Sequence, residues 1–325
     1  MRTELQEPPP SSNLPENFIS RLTEIYPDHC ASVFSSFHQA PKTSVWLNGL
    51  KSDPCETYDH LVSDELSLSP VAQFPHLYLI PEHQREDLTH HPFAENGFIY
   101  PINPSSMIPP LVLNPQPEDR VLDLTAAPGS KTLILAWLMK NQGRISAVEN
   151  VKYRFHKLKS NLERTGVNNV RLFLKDGSTV WRSCPEFFDK VLLDSPCSTE
   201  GRFQADEPDT YKYWSERKIR EMNRKQRKLL FSAVQSLKPG GELVYSTCTF
   251  APEENEEPIS RILQIFGGSL TVTKIDLSLE NLHPGLTSWR KKNFHPSLAD
   301  AVRIIPDGIF EGFFICRIRK SESTI

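Results

Sequence analysis

The chain reads as an α/β protein in which helices cover both faces of a mainly parallel sheet, with a small separate lobe on the N-terminal side. Three observations predict this. From Val121 onward, strand-length apolar runs alternate with amphipathic helical stripes, the pattern of parallel strands joined by helical crossovers. A turn of small residues, TAAPGS at 125–130, links the first such run to a helix. And 17 of the 27 prolines lie within residues 1–117, so that part consists of short elements and turns rather than long helices. With 325 residues there is room for one large domain and one smaller one.

Residues 1–15 are polar and Pro-rich, with too few apolar side chains to order themselves, and read as a flexible tail. Residues 16–96 read as the small lobe. Phe18, Leu22, Ile25, Val33 and Phe34 recur at helical spacing on either side of Pro27, which predicts two short helices. A strand is expected over 44–47 and a helix over 56–62. Ser105 and Ser106, ahead of an apolar turn, suit a helix N-cap.

The large domain, 97–320, opens with a buried strand over 121–124 and a helix over 131–139. A second strand over 145–149, a helix over 151–165 with Phe155, Leu158 and Leu162 on one face, and strands over 170–174 and 190–194 follow. The helix over 215–237 carries the stripe Ile219, Met222, Leu229, Ala233 and Leu237 and is stopped by Pro239, Gly240 and Gly241. A fifth strand over 242–246, a helix over 252–266 and closing strands over 270–276 and 312–319 bring the sheet to seven strands.

Composition narrows the function classes. A formal charge of -3 argues against a uniformly basic coat, so nucleic-acid binding has to come from a local patch. The segment 212–228, with Lys212, Arg217, Lys218, Arg220, Arg224, Lys225, Arg227 and Lys228, is one candidate; the solvated face of a helix is the other reading. The six cysteines form no CxxC pair and have no close His at zinc spacing, so neither a metal site nor a disulfide framework is expected, and a reducing cytoplasm fits. The N-terminus lacks the apolar core of a secretory signal, and no run approaches the ~20 apolar residues that span a bilayer.

Three stretches carry chemistry. In VLDLTAAPGSKT, 121–132, a strand, a tight Gly turn and a helix N-terminus set unpaired backbone N–H groups around a small ligand. A phosphate loop would need Gly where Thr125 and Ser130 stand. Glu149, ending the second strand, is placed to accept hydrogen bonds from both ribose hydroxyls of a nucleoside cofactor; the same place also suits a plain helix cap. Asp176, past the third strand, is placed to meet an adenine edge. Cys197 and Cys248 each follow the C-terminal end of a predicted strand and face one crevice, whereas Cys30, Cys55, Cys184 and Cys316 read as small buried hydrophobes. A thiol of pKa ~8.5 is barely ionised at neutral pH, so a nearby cation is useful, and Lys131 is a candidate source of that positive field.

DLTAAPGSKT, with DSPCSTEGRF at 194–203 and YSTCTFAPEENE at 245–256, resembles the motifs of the Nol1/Nop2/Sun family of S-adenosylmethionine-dependent RNA cytosine-5 methyltransferases, which includes the bacterial 16S ribosomal RNA enzymes. The resemblance runs from about Gly97 to Lys320. It implies a Rossmann-like seven-stranded methyltransferase sheet, the last strand antiparallel, behind a small N-terminal α/β lobe of RNA-binding type. It also implies S-adenosylmethionine held by residues matching Thr125, Ala126, Ala127, Pro128, Gly129, Ser130, Lys131, Glu149, Asp176 and Asp194, with Arg154 in support. Cys248 matches the nucleophile, and Cys197 the cysteine that resolves the adduct. Asp194 would hold the exocyclic amine of the target cytosine. The implied partner is structured RNA, ribosomal before transfer RNA, with no membrane and a monomeric enzyme. TSVWLNGLK at 43–51 is similar to the family's usual lobe strand, with Trp46 where Arg is common. NGFIYPINPSSMIPP at 96–110 is similar to its linker, with Ile102 where Gln is common.

The cysteine assignment has a chemical basis. Cytosine carbon 5 is too poor a nucleophile to attack a methyl sulfonium; a thiolate adding to carbon 6 makes it an enamine carbon. Two other functions use the same fold: DNA cytosine-5 methylation, where Cys197 after proline is the nucleophile, and a catalytically silent RNA-binding assembly factor. The STC motif with a second cysteine argues against the first; Cys197, Cys248, Asp194 and Lys131 together argue against the second.

Overall fold

The computed structural model describes residues 13–40 and 42–325. Of the expected tail, residues 1–12 lie outside the described residues, and Leu14 is buried. Two helices, α1 (Glu16–Ile25) and α2 (Cys30–Ser36), flank Pro27 as the apolar spacing predicts. Their apolar faces do not join the lobe, however. Phe18, Leu22, Ile25, Val33 and Phe34 are buried in one core with Leu122, Phe203 and Phe250 of the large domain, and Arg21 pairs with Glu253 at 2.6 Å. The lobe thus starts after these helices rather than at residue 16.

The lobe itself comprises β1 (Thr43–Leu47), α3 (Pro54–Ser63), β2 (Ser69–Pro70), β3 (Leu77–Ile80), α4 (Arg85–Thr89), α5 (Pro92–Glu95) and β4 (Ile99–Pro101), its antiparallel sheet ordered β2-β3-β1-β4. Trp46 is fully buried at its junction with the large domain, edge-on to Trp137 with ring centroids 5.5 Å apart. A side chain there cannot reach RNA. Asn48 adds to the junction by donating to the carbonyls of Gly97 and Thr165.

The large domain follows the expected alternation: α6 (Ile108–Leu113), β5 (Arg120–Asp123), α7 (Ser130–Leu138), β6 (Arg144–Glu149), α8 (Lys152–Arg164), β7 (Val170–Leu174), β8 (Phe188–Asp194), α9 (Glu216–Ser236), β9 (Leu237–Thr247), α10 (Glu256–Phe266) and β10 (Leu270–Thr273). After β11 (Leu282–Pro284) come the two-stranded β12 (Ser288–Trp289) and β13 (Lys292–Asn293), then β14 (Val302–Ile304) and β15 (Phe313–Lys320). The main sheet runs β11-β14-β15-β9-β8-β5-β6-β7, with β10 on β15. β5 to β9 are mutually parallel, and β15 is antiparallel to β9.

All seven expected strands are present, and among the described residues β11 and β14 bring the sheet to nine. Each spans three residues, too short to show alternation in the sequence. Pro239-Gly240-Gly241 does not merely stop α9: β9 begins at Leu237 and carries these residues past a register shift opposite Phe188 and Lys190. α10 starts at Glu256, four residues later than expected, because 252–255 form a turn. Asn103, not Ser105 or Ser106, caps the turn Pro104–Met107, accepting from the Ser105 N–H.

Truncating Trp46 to Ala is expected to cost about 3–5 kcal/mol, because it leaves a cavity between lobe and domain. The measurement is the urea midpoint at constant m-value; a midpoint equal to wild type shows that the lobe docks without this side chain.

Candidate active site

The sheet reverses its winding at β5, which lies between β6 and β8. Open α/β sheets bind ligands at the carboxyl ends of strands at such a point. There the protein has a cleft of about 720 Å³, lined by Thr125, Ala127, Pro128, Ser130, Lys131, Glu149, Arg154, Asp176, Asp194, Cys197, Arg202 and Cys248. Ala126 and Gly129, expected among the lining residues, shape the turn from behind. The Ala126 N–H donates to the Val148 carbonyl at 2.9 Å. Gly129 has φ +115°, and a Cβ there would stand 3.0 Å from Leu158 Cδ1.

Side chains hold the turn from three directions. Thr125 Oγ1 donates to the Asp194 carbonyl at 2.8 Å, Arg154 Nη2 to the Ala127 carbonyl at 2.6 Å, and Asn161 Nδ2 to the Pro128 carbonyl at 2.9 Å. Beneath it, Asp123 accepts from Thr132 Oγ1 at 2.7 Å, and burial pushes its carboxyl up to about 6. Glu149 is buried, accepting the Val151 N–H at 2.9 Å and lying 3.4 Å from Arg154. It braces the turn ahead of α8, whose N-cap, Val151, has no side-chain cap, and it lines the cleft. Exposed Asp176 accepts the Ser178 N–H at 2.9 Å.

At the far end of the cleft, Cys197 Sγ and Cys248 Sγ lie 3.4 Å apart. Their surroundings are unequal. The hydrogen bond from Cys197 and then the charge of Arg202 lower the Cys248 pKa, whereas the same hydrogen bond and burial push Cys197 well up. Cys248 is therefore the more acidic thiol of the pair. Lys131, expected to supply the positive field, lies with its ammonium 2.6 Å from Asp194 Oδ2; the nearby cation that favours the thiolate is Arg202, paired with Glu311 at 2.9 and 3.0 Å. Ser246 Oγ donates to Asp194 Oδ1 at 2.8 Å, fixing the carboxylate between two donors. Of the other cysteines, Cys30 and Cys316 are buried as expected, but Cys55 is exposed and Cys184 half-buried.

Two buried acids bind the cysteine loops together. Glu200 accepts from Thr249 Oγ1 and the Phe250 N–H at 2.8 and 3.0 Å, and from Trp214 Nε1 at 2.8 Å. Glu254 accepts from the Ser198 N–H at 3.0 Å and Gln226 Nε2 at 2.8 Å, while its other oxygen is buried without a partner. An unpartnered buried carboxylate oxygen favours the protonated form. Burial, with Glu200 beside it, accordingly pushes Glu254 up to about 8. Arg202, Glu200 and Glu254 all lie within motif stretches already singled out in the sequence, yet nothing there told which of their polar residues face a cysteine.

The model of the family described as 16S rRNA methyltransferase RsmB/F matches residues 110–319. The chain belongs to that family. The matched segment holds β5 through most of β15 and every cleft residue named above. Among its relatives is the ribosomal RNA small subunit methyltransferase F of Aliivibrio fischeri, 34% identical over 317 residues, 96% of this chain and 65% of the relative. The chain thus spans about 65% of the length of such relatives. The tRNA (cytosine(49)-C(5))-methyltransferase of Pyrococcus abyssi is 41% identical over 228 residues, 69% of this chain and 71% of the relative. A solved methyltransferase homolog from Pyrococcus horikoshii superposes with a TM-score of 0.82 at 30% identity, covering 94% of this chain and 95% of its own.

Glu254 gives a pH signature. Its folded-state pKa is raised from 4.5 to about 8, so between those values the folded chain holds a proton that the unfolded chain releases. This contribution is complete below the unfolded value and is lost as pH rises toward the folded one, by up to ~1.4 kcal/mol per pH unit. Glu254→Gln keeps the shape and the accepting oxygen but does not titrate. In denaturant unfolding measured against pH, the variant should lose that part of the slope; an unchanged slope assigns it to other groups.

Proposed function

We propose that the protein transfers a methyl group from S-adenosylmethionine to carbon 5 of a cytidine in structured RNA, ribosomal RNA before transfer RNA, through a covalent Cys248 adduct at carbon 6. The observation that carries this reading is the thiol pair at 3.4 Å in one cleft with Asp194 and the Thr125–Lys131 turn. RNA rather than DNA is supported by the relatives, which are named for ribosomal and transfer RNA, the latter for cytosine carbon 5. The long ribosomal relatives, aligned over 96% of this chain, favour ribosomal RNA.

The residues fit the cofactor. A cleft of about 720 Å³ suits a nucleoside-sized ligand, with a buried acid, Glu149, at a strand end and Asp176 beyond the next. Glu149 would accept from the ribose hydroxyls, Asp176 would meet the adenine, and the turn from Thr125 to Lys131 would hold the amino-acid end, with Arg154 bracing Glu149 and the Ala127 carbonyl. S-adenosylmethionine supplies the electrophilic methyl group.

The protein's own part begins with the base, which must leave any stack to enter the cleft. Asp194 has used one lone pair on each oxygen, for Ser246 and Lys131, and can still accept the exocyclic amine of cytosine. Uracil offers a carbonyl there and is rejected. The Cys248 thiolate forms the sulfur–carbon 6 bond, and the displaced π electrons make carbon 5 nucleophilic toward the methyl group. Once Cys248 is a thioether, the interaction that chiefly raises the Cys197 pKa is gone. Cys197 then gives up its proton to solvent more readily, and its thiolate accepts the carbon 5 proton. The carbon 5–carbon 6 double bond reforms, and Cys248 leaves as a thiolate.

Glu149→Ala should weaken S-adenosylmethionine binding by roughly 1.5–3 kcal/mol, the value of hydrogen bonds to a charged partner, by calorimetric titration of the folded variant. Undiminished affinity leaves the acid as a brace for Val151 and Arg154 alone.

The two cysteines should have opposite phenotypes when tritiated cofactor is offered with RNA or DNA, followed by nucleoside analysis and a denaturing gel. Cys248→Ala should yield neither 5-methylcytidine nor a covalent species. Cys197→Ala should accumulate a denaturant-resistant protein–RNA band, since addition and methyl transfer proceed but release stalls. A band with Cys248→Ala and none with Cys197→Ala reverses the assignment. Label in DNA alone overturns the RNA reading.

A further inference from the structure

A second concavity lies beside the cleft. It occupies about 670 Å³ between the turn after β7, the exposed side of α9 and the face of α10. Five cations reach it from those three elements: Arg182, Arg224, Arg227, Lys228 and Arg261. Its lining contains no Asp or Glu, and among the described residues none of the five makes an ion pair. This is not the general habit of α9. In its first half and at Lys225, Glu216 and Glu221 neutralise Arg220, Lys218 and Lys225. Like charges left together without counter-charges cost stability unless something else compensates them.

The floor is apolar. Trp181 stands edge-on to Phe231 with ring centroids 5.6 Å apart, and Pro258, Ile262 and Ile265 complete the surface, Ile265 being 55% exposed. A paired duplex presents phosphates but keeps its base faces stacked, so it has nothing to set against such a floor. A mononucleotide brings too little negative charge for five cations. A single strand brings one charge per phosphate and unstacked base faces for an aromatic platform. Ser178 and Lys228 line both this groove and the catalytic cleft, so one strand can occupy both.

We propose that this groove between α9, α10 and the turn after β7 binds a single-stranded RNA segment flanking the target cytidine. Its phosphates meet the arginines, and a base stacks at Trp181. The proposal rests on the RNA reading above but concerns a surface outside the catalytic cleft.

The test uses the full chain and a fluorescein-labelled single-stranded oligoribonucleotide, with binding read by anisotropy across a salt series. Arg182→Ala/Arg227→Ala/Arg261→Ala removes one charge from each wall and spares every residue of the catalytic cleft. It should weaken binding about ten-fold or more and reduce the slope of log affinity against log salt by roughly 2, at ~0.7 per lost phosphate contact. S-adenosylmethionine affinity should not change. Arg217→Ala/Lys218→Ala/Arg220→Ala, on the same helix outside the groove, should change affinity less than about two-fold. A 5-iodouridine probe should crosslink to the peptide carrying Trp181.

An unchanged salt slope in the groove variant, an equal loss in the control variant, or equal competition by duplex RNA or adenosine monophosphate overturns the proposal. The two readings fail separately. If wild type methylates no RNA yet the groove variant loses strand binding, the catalytic reading falls and the groove stands; if methylation proceeds and the groove variant binds RNA like wild type, only the groove falls.

Discussion

The register of β8 on β9 sets Asp194 beside Ser246, and the reactive centre hangs on that pairing. Cys197 lies three residues beyond Asp194, and Cys248 two beyond Ser246, so two strand ends paired in parallel deliver two thiols to one point. The contact at 3.4 Å follows only if both loops leave the sheet along fixed paths. Gly201 shows how tight those paths are. Its N–H donates to the Cys248 carbonyl at 3.0 Å, and a Cβ on it would lie 2.1 Å from the Gly312 carbonyl oxygen. A slip of one residue in the β8–β9 ladder would turn the loop of the slipped strand to the wrong face and separate the two thiols.

Buried and half-buried acids do the fastening, and APEENEE at 251–257 concentrates them. Glu253 takes Arg21 of α1 at 2.6 Å; Glu254 takes the Ser198 N–H; Glu256 takes Arg303 of β14 at 2.6 Å with both side chains essentially inaccessible. Each acid ties the segment after Cys248 to a different part of the chain. Burying charge is expensive, and a buried pair is weak evidence for stability. What these contacts supply is position: removing one partner would leave an uncompensated group against the cysteine loops. The same logic explains why α1 belongs to the large domain, since Arg21 has its partners, Glu253 and Glu216, only there.

Periodicity made most of the fold legible, and its failures have physical causes. The stripe of α1 announced a buried face but not against what, because one apolar stripe fits the lobe or the domain equally well. Arg21, which decides the matter, is one charged residue among many. β11 and β14 are held by neighbours in the ladder rather than by alternation of their own. In the cleft, the motif stretches located Thr125, Lys131, Asp194, Cys197, Arg202 and Cys248, while Glu149, Arg154 and Asp176 lie outside them. The stretches did not separate residues that face the ligand from those behind them, such as Ala126 and Gly129, nor could they reveal that Lys131 pairs with Asp194 and leaves Arg202 as the cation for Cys248. Ion pairing between distant positions is decided by the fold and leaves no trace in local spacing.

Charge shows the same division between sequence and structure. A chain of net charge -3 has enough acids to neutralise its bases, yet it does so selectively. Along α9 the helix spacing of Glu216 and Glu221 places them beside Arg220, Lys218 and Lys225. Beyond Glu221 the helix carries no further acid, while the turn after β7 and α10 add Arg182 and Arg261 to the same side. Neither contribution stands out alone, since an arginine on an exposed turn or helix is ordinary. Brought together by the packing of α9 against α10 and the preceding turn, they make a positive field that an overall charge near neutrality conceals. That field adjoins the cleft holding the thiol pair, and it reaches into the cleft over distances within a Debye length of ~10 Å.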